Sequence, residues 1–282
     1  MQAHVGQQQP ARFTSARSHV GHHSPRLTQG APGHVIAGHV IAGHVIAGHV
    51  RERFCIENQV RSTRYLAPVN LALFDFDGTI TYGDTFTPFI HFAVSAGRIA
   101  VGTLRLSPMI VGYKLGVVPA TRMREAIVRF AFQGRGQQEV SELGARYSQQ
   151  LARGVRPHAL EKIRWHQAQG DVVVVVSASL DSYLRGWCQE LGIALICTEL
   201  EHEAGVLTGK YAGGDCTGLE KARRVRERYD LSQYPVVYAY GDTPEDYELL
   251  RLANKRYFRW QELGDLTPEA ERAGARRSVF PQ

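Results

Sequence analysis

The segment Asp75-Phe76-Asp77-Gly78-Thr79 follows an apolar run and holds two carboxylates, a glycine and a hydroxyl within five residues. In an extended strand end the side chains alternate, so Asp75 and Asp77 face one side and Phe76 faces the other. Two carboxylates this close repel each other unless a cation lies between them, and hard oxygen ligands suit Mg²⁺. Gly78 allows close approach of the backbone to an anion, and Thr79 adds a donor. The segment predicts a site for Mg²⁺ and phosphate, although an Asp pair is also found in turns and helix caps.

Three further positions carry polar groups that suit the same chemistry. Ser177 follows five valines and offers its hydroxyl, with the main chain at Ala178, as an anion site at a helix start. Lys221 offers a point charge to a phosphate. Asp242 and Asp246 are four residues apart, one helical turn, and provide carboxylates for Mg²⁺. Each also has a purely structural interpretation, because Ser and Asp cap helices and lysines occur on exposed faces.

The elements that must position these residues follow from the apolar runs. Short apolar segments at 69–74, 172–176, 193–197 and 236–240 are typical of buried parallel strands. Helical patterns at 157–169, 180–191, 218–229 and 244–253 separate or follow them. Strands that alternate with helices predict an α/β fold with a doubly wound, Rossmann-like parallel sheet. Because ligands bind beyond the carboxyl ends of such strands, we expect Asp75, Ser177 and Asp242 to converge there.

One long segment interrupts this alternation. Residues 83–150 carry helical patterns with several glycines and prolines, and we expect a helical cap inserted after the first strand. The catalytic core is then predicted at residues 66–82 and 151–265, with a small hairpin at 204–214. Residues 1–65 and 266–282 are predicted to be tails.

Taken in order, the motifs resemble those of the haloacid dehalogenase-like (HAD) hydrolase superfamily. Its first motif, DxDx(T/V), matches Asp75 to Thr79, and its second, a Ser or Thr after an apolar strand, matches Ser177. Its third, a lysine, matches Lys221, and its fourth, GDxxxD, matches Gly241 to Asp246. The stretch LTGKYAGGDCTG before the lysine resembles subfamily IB, the phosphoserine phosphatase-like enzymes, which carry a helical cap after motif one. The resemblance covers roughly residues 68–260.

The resemblance implies a Mg²⁺-dependent phosphatase acting on a phosphate monoester through an aspartyl phosphate. It makes Asp75 the nucleophile and Asp77 the general acid and base. The implied metal ligands are the Asp75 side chain, the main-chain carbonyl of Asp77, and Asp242 with Asp246 in support. The implied phosphate ligands are Gly78, Thr79, Ser177, Ala178 and Lys221.

The implied substrate is a small phosphorylated metabolite, but the cap positions depart from the phosphoserine phosphatase pattern. Asp84 stands where those enzymes have a substrate-binding Glu, and Glu245 stands where they usually have Asn. Their cap arginine has three candidates here, Arg122, Arg124 and Arg129. The departures leave phosphoserine itself open.

A lipid phosphatase of the phosphatidylglycerophosphate type, acting at the membrane surface, is the alternative. It would use the apolar residues 99–118 as an amphipathic surface. We favour instead the interpretation that this segment forms the core of the cap.

The leading segment explains most of the basic charge. Of the formal net charge of +6, residues 1–64 account for +5, with seven arginines and two glutamates. Residues 33–50 repeat GHVIA, a five-residue period that fits neither a helix nor a strand. The repeat is interpreted as a translated tandem repeat ahead of a later start; the alternative is a metal-collecting tract at His34, His39, His44 and His49. A nucleic-acid-binding function is not expected, because no aromatic and basic residues interleave.

Composition narrows the class of protein further. Hydrophobic residues make up 44% and charged residues 21%, which excludes a wholly disordered or collagen-like chain. Cys55, Cys188, Cys197 and Cys216 form no CxxC pair, so we expect reduced thiols in a cytoplasmic protein. No apolar stretch is long enough to span a bilayer, and the N-terminus lacks a signal-peptide pattern.

The alternative to an enzyme is an inactive binding or regulatory module with the same fold. The complete set of four motifs disfavours this alternative.

Overall fold

A computed structural model describes residues 69–264. They contain seven strands: β1 (Leu71–Phe74), β2 (Val172–Leu180), β3 (Ala194–Glu203), β4 (Val206–Ala212), β5 (Val237–Gly241), β6 (Lys255–Phe258) and β7 (Gln261–Leu263). The strands form one sheet in the order β4-β3-β2-β1-β5-β6-β7. Neighbours from β3 to β6 are parallel, and β4 and β7 pair antiparallel at the two edges. The predicted α/β fold is therefore confirmed. The GHVIA repeat with its histidines, Cys55 and both predicted tails lie outside the described residues.

Eight α-helices accompany the sheet in the described range. They are α1 (Phe86–Ala93), α2 (Ala96–Lys114), α3 (Ala120–Phe132), α4 (Gln137–Leu151), α5 (Pro157–Gln169), α6 (Asp181–Leu191), α7 (Leu219–Arg228) and α8 (Tyr247–Leu250). Helices α1 to α4 follow β1 in succession before the chain returns to the sheet at β2. None of the helices in residues 69–264 has the length and apolar character needed to cross a membrane.

The central strands are apolar because both faces of the sheet are covered. Ala72 and Phe74 belong to the hydrophobic cluster on one face, and Leu71 and Leu73 to the cluster on the other. All four side chains are fully buried. Burying one such large apolar side chain stabilises the fold by roughly 1.5–3 kcal/mol. This two-sided burial explains why the strands read as continuous apolar runs.

Several elements differ from the sequence-based predictions. The predicted hairpin at 204–214 is only the turn and second strand of a hairpin whose first strand is the extended β3. The helix predicted at 244–253 is a 3-10 turn at Pro244–Asp246 followed by the short α8. Strands β6 and β7 were not predicted, since neither carries a continuous apolar run.

Helix α2 runs without interruption through the glycines and the proline that predict a break. Pro108 lies inside it, and Gly102 faces α3. A β-carbon at Gly102 would lie 2.5 Å from Cε1 of Phe130, so the glycine permits close packing of the two helices. Tertiary contact of this kind overrides the low intrinsic helix propensity of glycine.

Three of the four cysteines that are expected to be reduced lie in the described range. Cys188, Cys197 and Cys216 are buried and free. Burial raises the pKa of the Cys188 thiol to about 12, which disfavours the reactive thiolate.

Candidate active site

The predicted strand-end residues converge because their strands are neighbours. Strands β2, β1 and β5 lie side by side and run parallel, so their carboxyl ends share one edge of the sheet. Asp75 follows β1 directly, and its backbone N–H donates to the Tyr240 carbonyl of β5 at 2.9 Å. Asp242 follows β5, and Ser177 lies in β2 where the pairing with β3 becomes irregular.

Lys221 joins two of the carboxylates from the helix α7. Its Nζ lies 2.6 Å from Oδ1 of Asp75 and 2.7 Å from Oδ1 of Asp246. All three side chains are at most 7% exposed. Burial acts to lower the pKa of Lys221, but the charges of Asp246 and Asp75 outweigh it and raise the pKa, so the ammonium stays protonated. A lysine that sequence alone cannot distinguish from a surface charge is thus a buried ion-pair partner.

Asp246 organises the loop that presents Asp242. Its Oδ2 accepts hydrogen bonds from the backbone N–H of Asp242 at 3.1 Å and of Thr243 at 3.0 Å, and also from the Thr243 hydroxyl. Burial acts to raise the pKa of Asp246, yet Lys221 and these donors hold it below its usual value. Asp246 is therefore an ionised anchor within the site.

Gly78 and Thr79 hold Asp242 from the other side. Gly78 has a φ of +83°, and a β-carbon there would lie 2.3 Å from Oδ2 of Asp242. The Thr79 hydroxyl donates to Oδ1 of Asp242 at 3.1 Å. Burial and the neighbouring charge of Asp246 raise the pKa of Asp242 to about 6. Motif one therefore shapes the position of a motif-four carboxylate.

The acidic cluster fits a divalent cation. Asp75, Asp242 and Asp246 each place one carboxylate oxygen within 4.8 Å of the others. Lys221 supplies one positive charge against three negative ones, which leaves a formal charge of −2 at a buried site. Burial and the charge of Asp246 raise the pKa of Asp75 well above its usual value, although Lys221 acts in the opposite direction. Hard carboxylate oxygens around a −2 charge suit Mg²⁺.

The Asp77 side chain has a different environment from those of Asp75, Asp242 and Asp246. Its Oδ1 accepts from the backbone N–H of Thr85 at 2.7 Å and from the Thr85 hydroxyl at 2.6 Å. Its Oδ2 accepts a short hydrogen bond from the Ser179 hydroxyl. Burial raises the pKa of Asp77, and the hydrogen bonds from Ser179 and Thr85 offset only part of that rise. Hydrogen bonds thus fix the Asp77 side chain, and its raised pKa means that it binds a proton more readily than an exposed aspartate does.

A cavity of about 140 Å³ lies beside these groups. The chain around Ser177 curves into it: the Ser177 hydroxyl accepts from the backbone N–H of Ser179 at 3.0 Å. The cavity brings residues of the sheet edge together with residues of the helical segment. Its lining comprises Asp75, Asp77, Asp84, Phe86, Arg124, Ser177, Ala178, Ser179, Lys221, Thr243, Glu245 and Asp246.

Thr79, Asp77 and Asp84 make contacts that the sequence analysis did not predict. The Thr79 hydroxyl is directed to Asp242, and Thr79 does not line the cavity. The Asp77 carboxylate lies outside the cluster of Asp75, Asp242 and Asp246, and Thr85 and Ser179 bind it; the metal ligand expected at this residue is its main-chain carbonyl. Asp84 lines the cavity, but both of its oxygens accept backbone N–H groups in the first turn of α1, so it caps that helix.

Of the three candidate cap arginines, Arg124 lines the cavity, whereas Arg122 and Arg129 do not. The Nε of Arg124 donates to Oδ2 of Asp215 at 2.8 Å, and its Nη2 lies 3.9 Å from Oε2 of Glu245. That Nη2 is buried and has no hydrogen-bond partner. Helix α3 thus contributes one guanidinium group to the site.

Sequence reasoning missed the residues that hold Asp77. Ser179 could have been found, because alternation in an extended strand places it on the same side as Ser177. Thr85 could not, since its contact depends on where α1 begins relative to motif one. The hydroxyl of Tyr183 lies 3.2 Å from the Thr85 hydroxyl, and the Tyr147 hydroxyl donates to the Thr85 carbonyl at 3.0 Å.

The family model of haloacid dehalogenase-like hydrolases matches residues 72–251. This chain belongs to that family. The match extends from β1 to β5 and includes the helical segment and all four motifs, so the resemblance seen in the sequence motifs is confirmed.

Two relatives of known sequence cover most of the same region. The protein CicA of Caulobacter vibrioides is 31% identical over 194 residues, which are 67% of this chain and 85% of CicA. A histidinol-phosphatase of Neisseria meningitidis is 26% identical over 199 residues, 66% of this chain and 88% of the relative. Among solved structures, a protein of unknown function from Bordetella pertussis shares the fold. Its TM-score is 0.59 at 20% identity, with 75% of this chain and 97% of that chain covered.

Proposed function

We propose that this hydrolase is a Mg²⁺-dependent phosphatase of the phosphoserine phosphatase-like subfamily, which cleaves a small phosphate monoester through an aspartyl phosphate. The observation that carries the proposal is the buried bridge from Lys221 to Asp75 and Asp246, at the strand edge beside a second carboxyl group, Asp77. A nucleophile, a proton donor and a fixed positive charge then line one cavity.

In the first step Asp75 acts as the nucleophile. One of its carboxylate oxygens attacks phosphorus, an O–P bond forms, and the bond from phosphorus to the leaving oxygen breaks. The carboxyl group of Asp77 donates its proton to that oxygen, so the product leaves as an alcohol. The raised pKa of Asp77 suits this role, since the group must hold its proton until the transfer.

In the second step the aspartyl phosphate is hydrolysed. The Asp77 carboxylate accepts a proton from a water molecule, whose oxygen attacks phosphorus. The bond from phosphorus to Asp75 breaks and releases inorganic phosphate, which restores the Asp75 carboxylate and the protonated Asp77. Thr85 and Ser179 hold Asp77 in one orientation through both steps.

Positive charge is needed because phosphate oxygens repel an incoming carboxylate. Lys221 supplies one such charge and orients Asp75, while the Ser177 hydroxyl and the N–H groups near Ala178 serve as donors for phosphate oxygens. Mg²⁺, held by Asp75 and Asp242 with Asp246 in support, would neutralise negative charge on the phosphate. Thr79 and Gly78 serve indirectly, by fixing Asp242.

Helices α1 to α4 are proposed to act as the cap. The chain enters and leaves this segment side by side, because Thr81 and Val155 form an isolated antiparallel bridge. Helix α1 contacts Asp77 through Thr85, and α3 contributes Arg124 to the cavity. A small phosphorylated metabolite is the proposed substrate, and a histidinol-phosphatase is among the relatives.

The proposal is tested by phosphate release from p-nitrophenyl phosphate and from a panel of amino-acid, amino-alcohol, sugar, nucleotide and lipid phosphates. We expect activity that EDTA abolishes and MgCl₂ restores. The variant Asp75→Asn should lose at least roughly 1,000-fold in kcat. The wild-type enzyme should also bind labelled phosphate covalently after acid quenching, and Asp75→Asn should not.

The control is Asp230→Asn, an exposed aspartate outside the cavity, which should keep the wild-type rate. Retention of Mg²⁺-dependent activity by Asp75→Asn would show that another group attacks phosphorus. Inactivity of the wild-type protein on every phosphate tested, with Mg²⁺ present, would contradict the assignment as a phosphatase.

A further inference from the structure

Helix α2 presents a continuous apolar stripe to solvent. Val101, Leu104, Pro108, Val111 and Leu115 recur at intervals of three and four residues, so they follow one side of the helix to its C-cap. The four large aliphatic side chains are between 55% and 77% exposed. We call these five residues the outer face.

Packing against the other described residues, 69–264, does not explain the outer face. The opposite side of α2 meets α1 and α3 through Ile99, Gly102, Leu106 and Ile110, which line an apolar cavity of about 150 Å³. A surface helix needs one apolar stripe to join its core, and α2 already has it on that side. Gly102 is the one buried residue of the helix. The expectation that residues 99–118 pack as a cap core is therefore correct for one side only.

Basic residues flank the outer face on both sides. At about 100° per residue, Arg98 and Arg105 lie roughly 90° to one side of the stripe and Lys114 roughly 90° to the other. All three are exposed. The stretch 95–124 contains five basic residues and no Asp or Glu. Helix α2 itself therefore carries positive charge only.

We propose that the outer face docks α2 on an anionic lipid bilayer, with the helix axis parallel to the membrane. The aliphatic side chains would enter the boundary between headgroups and acyl chains, while the Arg105 and Lys114 side chains reach lipid phosphates. Arg98 is not assigned this role, because its guanidinium donates to the Phe130 carbonyl at 2.7 Å. A second copy of the chain is disfavoured as the occupant, because pairing two such faces brings like charges together. The inference does not depend on the proposed phosphatase activity.

The test is flotation of the full chain with vesicles of phosphatidylcholine alone or with 30% phosphatidylglycerol. We expect binding to the anionic vesicles only. The pair Leu104→Ser/Val111→Ser should lower the partition coefficient at least roughly tenfold, since two apolar side chains no longer insert. The matched control is Leu219→Ser/Val206→Ser, whose side chains are 74% and 46% exposed on other elements, and it should bind as the wild type does.

A second pair tests the charges. Arg105→Gln/Lys114→Gln should also lower binding to anionic vesicles, by roughly tenfold, and should weaken its dependence on salt. Its control is Arg226→Gln/Lys210→Gln, two exposed basic residues of α7 and β4. The basic residues 1–64 are common to all variants, so a difference between pairs reports on α2.

Several outcomes would overturn the proposal. One is a wild-type chain that does not float with anionic vesicles, and another is equal loss of binding in the α2 pairs and their controls. Sedimentation that shows a dimer dissociated by Leu104→Ser/Val111→Ser would identify a second copy as the occupant instead. Thermal melting checks each variant, and if the serine pair unfolds, the glutamine pair decides.

Discussion

Thr85, at the N-cap of α1, binds one oxygen of Asp77 through both its backbone N–H at 2.7 Å and its hydroxyl at 2.6 Å. The start of α1 is thereby hydrogen-bonded to Asp77, the side chain that we propose as general acid and base. Tyr147 and Tyr183 hold Thr85 in turn, from α4 and α6. The orientation of Asp77 thus depends on contacts with three helices.

Replacing Thr85 by valine tests this dependence. Thr85→Val keeps the shape and the backbone N–H but removes a hydroxyl donor to a carboxylate, a bond worth about 1.5–3 kcal/mol. We expect kcat to fall roughly 10- to 100-fold with little change in KM, measured on the best substrate of the panel. Thr87→Val, an exposed threonine of the same helix, is the control and should keep the wild-type kcat. An unchanged kcat in Thr85→Val would contradict the positioning role.

Gly78 offers a test of how motif one positions Asp242. In Gly78→Ala the new methyl group would lie 2.3 Å from Oδ2 of Asp242, in a backbone of φ +83°. We expect kcat/KM to fall at least roughly 100-fold because Asp242 must move. The concentration of Mg²⁺ required for half-maximal activity should rise as well.

The control for backbone strain is Gly116→Ala. Gly116 has a similar φ of +73°, but nothing lies within 4 Å of its β-carbon position. This variant should lose about 1 kcal/mol of unfolding free energy from strain and keep its activity. If both variants lose activity to the same extent, strain rather than contact with Asp242 is responsible.

Lys221 should be required for stability in the absence of a divalent cation. Lys221→Met leaves Asp75 and Asp246 buried without their shared partner, which should lower the unfolding free energy by about 3–5 kcal/mol in EDTA. MgCl₂ should recover part of that loss, because it offsets the same carboxylates. Urea denaturation checks both values, with the exposed Lys210→Met as control. Equal stability of the two variants in EDTA would contradict the ion-pair role.

The strand-edge residues could be predicted from sequence because parallel strands bring their carboxyl ends together. Asp75, Ser177 and Asp242 each stand at or near the end of an apolar run. Such a position can be recognised in the sequence without knowing where the helices lie. The burial of Lys221 was indicated only by the motif resemblance, since many charged residues surround it in α7.

Contacts that depend on how helices α1 to α4 pack against each other and against the sheet edge could not be predicted. Apolar residues in α2 indicate a helix but not which side finds a partner, so the outer face was interpreted as core. Arg124 could not be chosen from three candidate arginines, because selection depends on the rotation of α3 toward the cavity. Asp84 matched a motif position, yet its local role as a helix cap competes with substrate binding.

On helix α5, His166 lies between two polar side chains, Asp171 and Tyr240. Its Nδ1 lies 2.7 Å from Oδ2 of Asp171 and its Nε2 lies 3.0 Å from the Tyr240 hydroxyl. In the tautomer whose Nδ1 donates to Asp171, Nε2 accepts from the Tyr240 hydroxyl. Burial is the largest influence on the pKa of His166 and lowers it, in spite of Asp171, while Lys162 lowers it further. The folded protein therefore holds a neutral imidazole.

This neutral imidazole predicts a loss of stability in mild acid. Below about pH 6.5 the unfolded chain protonates His166 while the folded chain resists, so the unfolding free energy falls as pH falls, by up to about 1.4 kcal/mol per pH unit. His166→Gln should remove that contribution, which urea denaturation between pH 5 and 8 would detect as a shallower slope. His158→Gln, an exposed histidine of the same helix, should keep the wild-type slope. Equal slopes in wild type and His166→Gln would mean that the buried histidine takes up its proton as readily in the folded state as in the unfolded one.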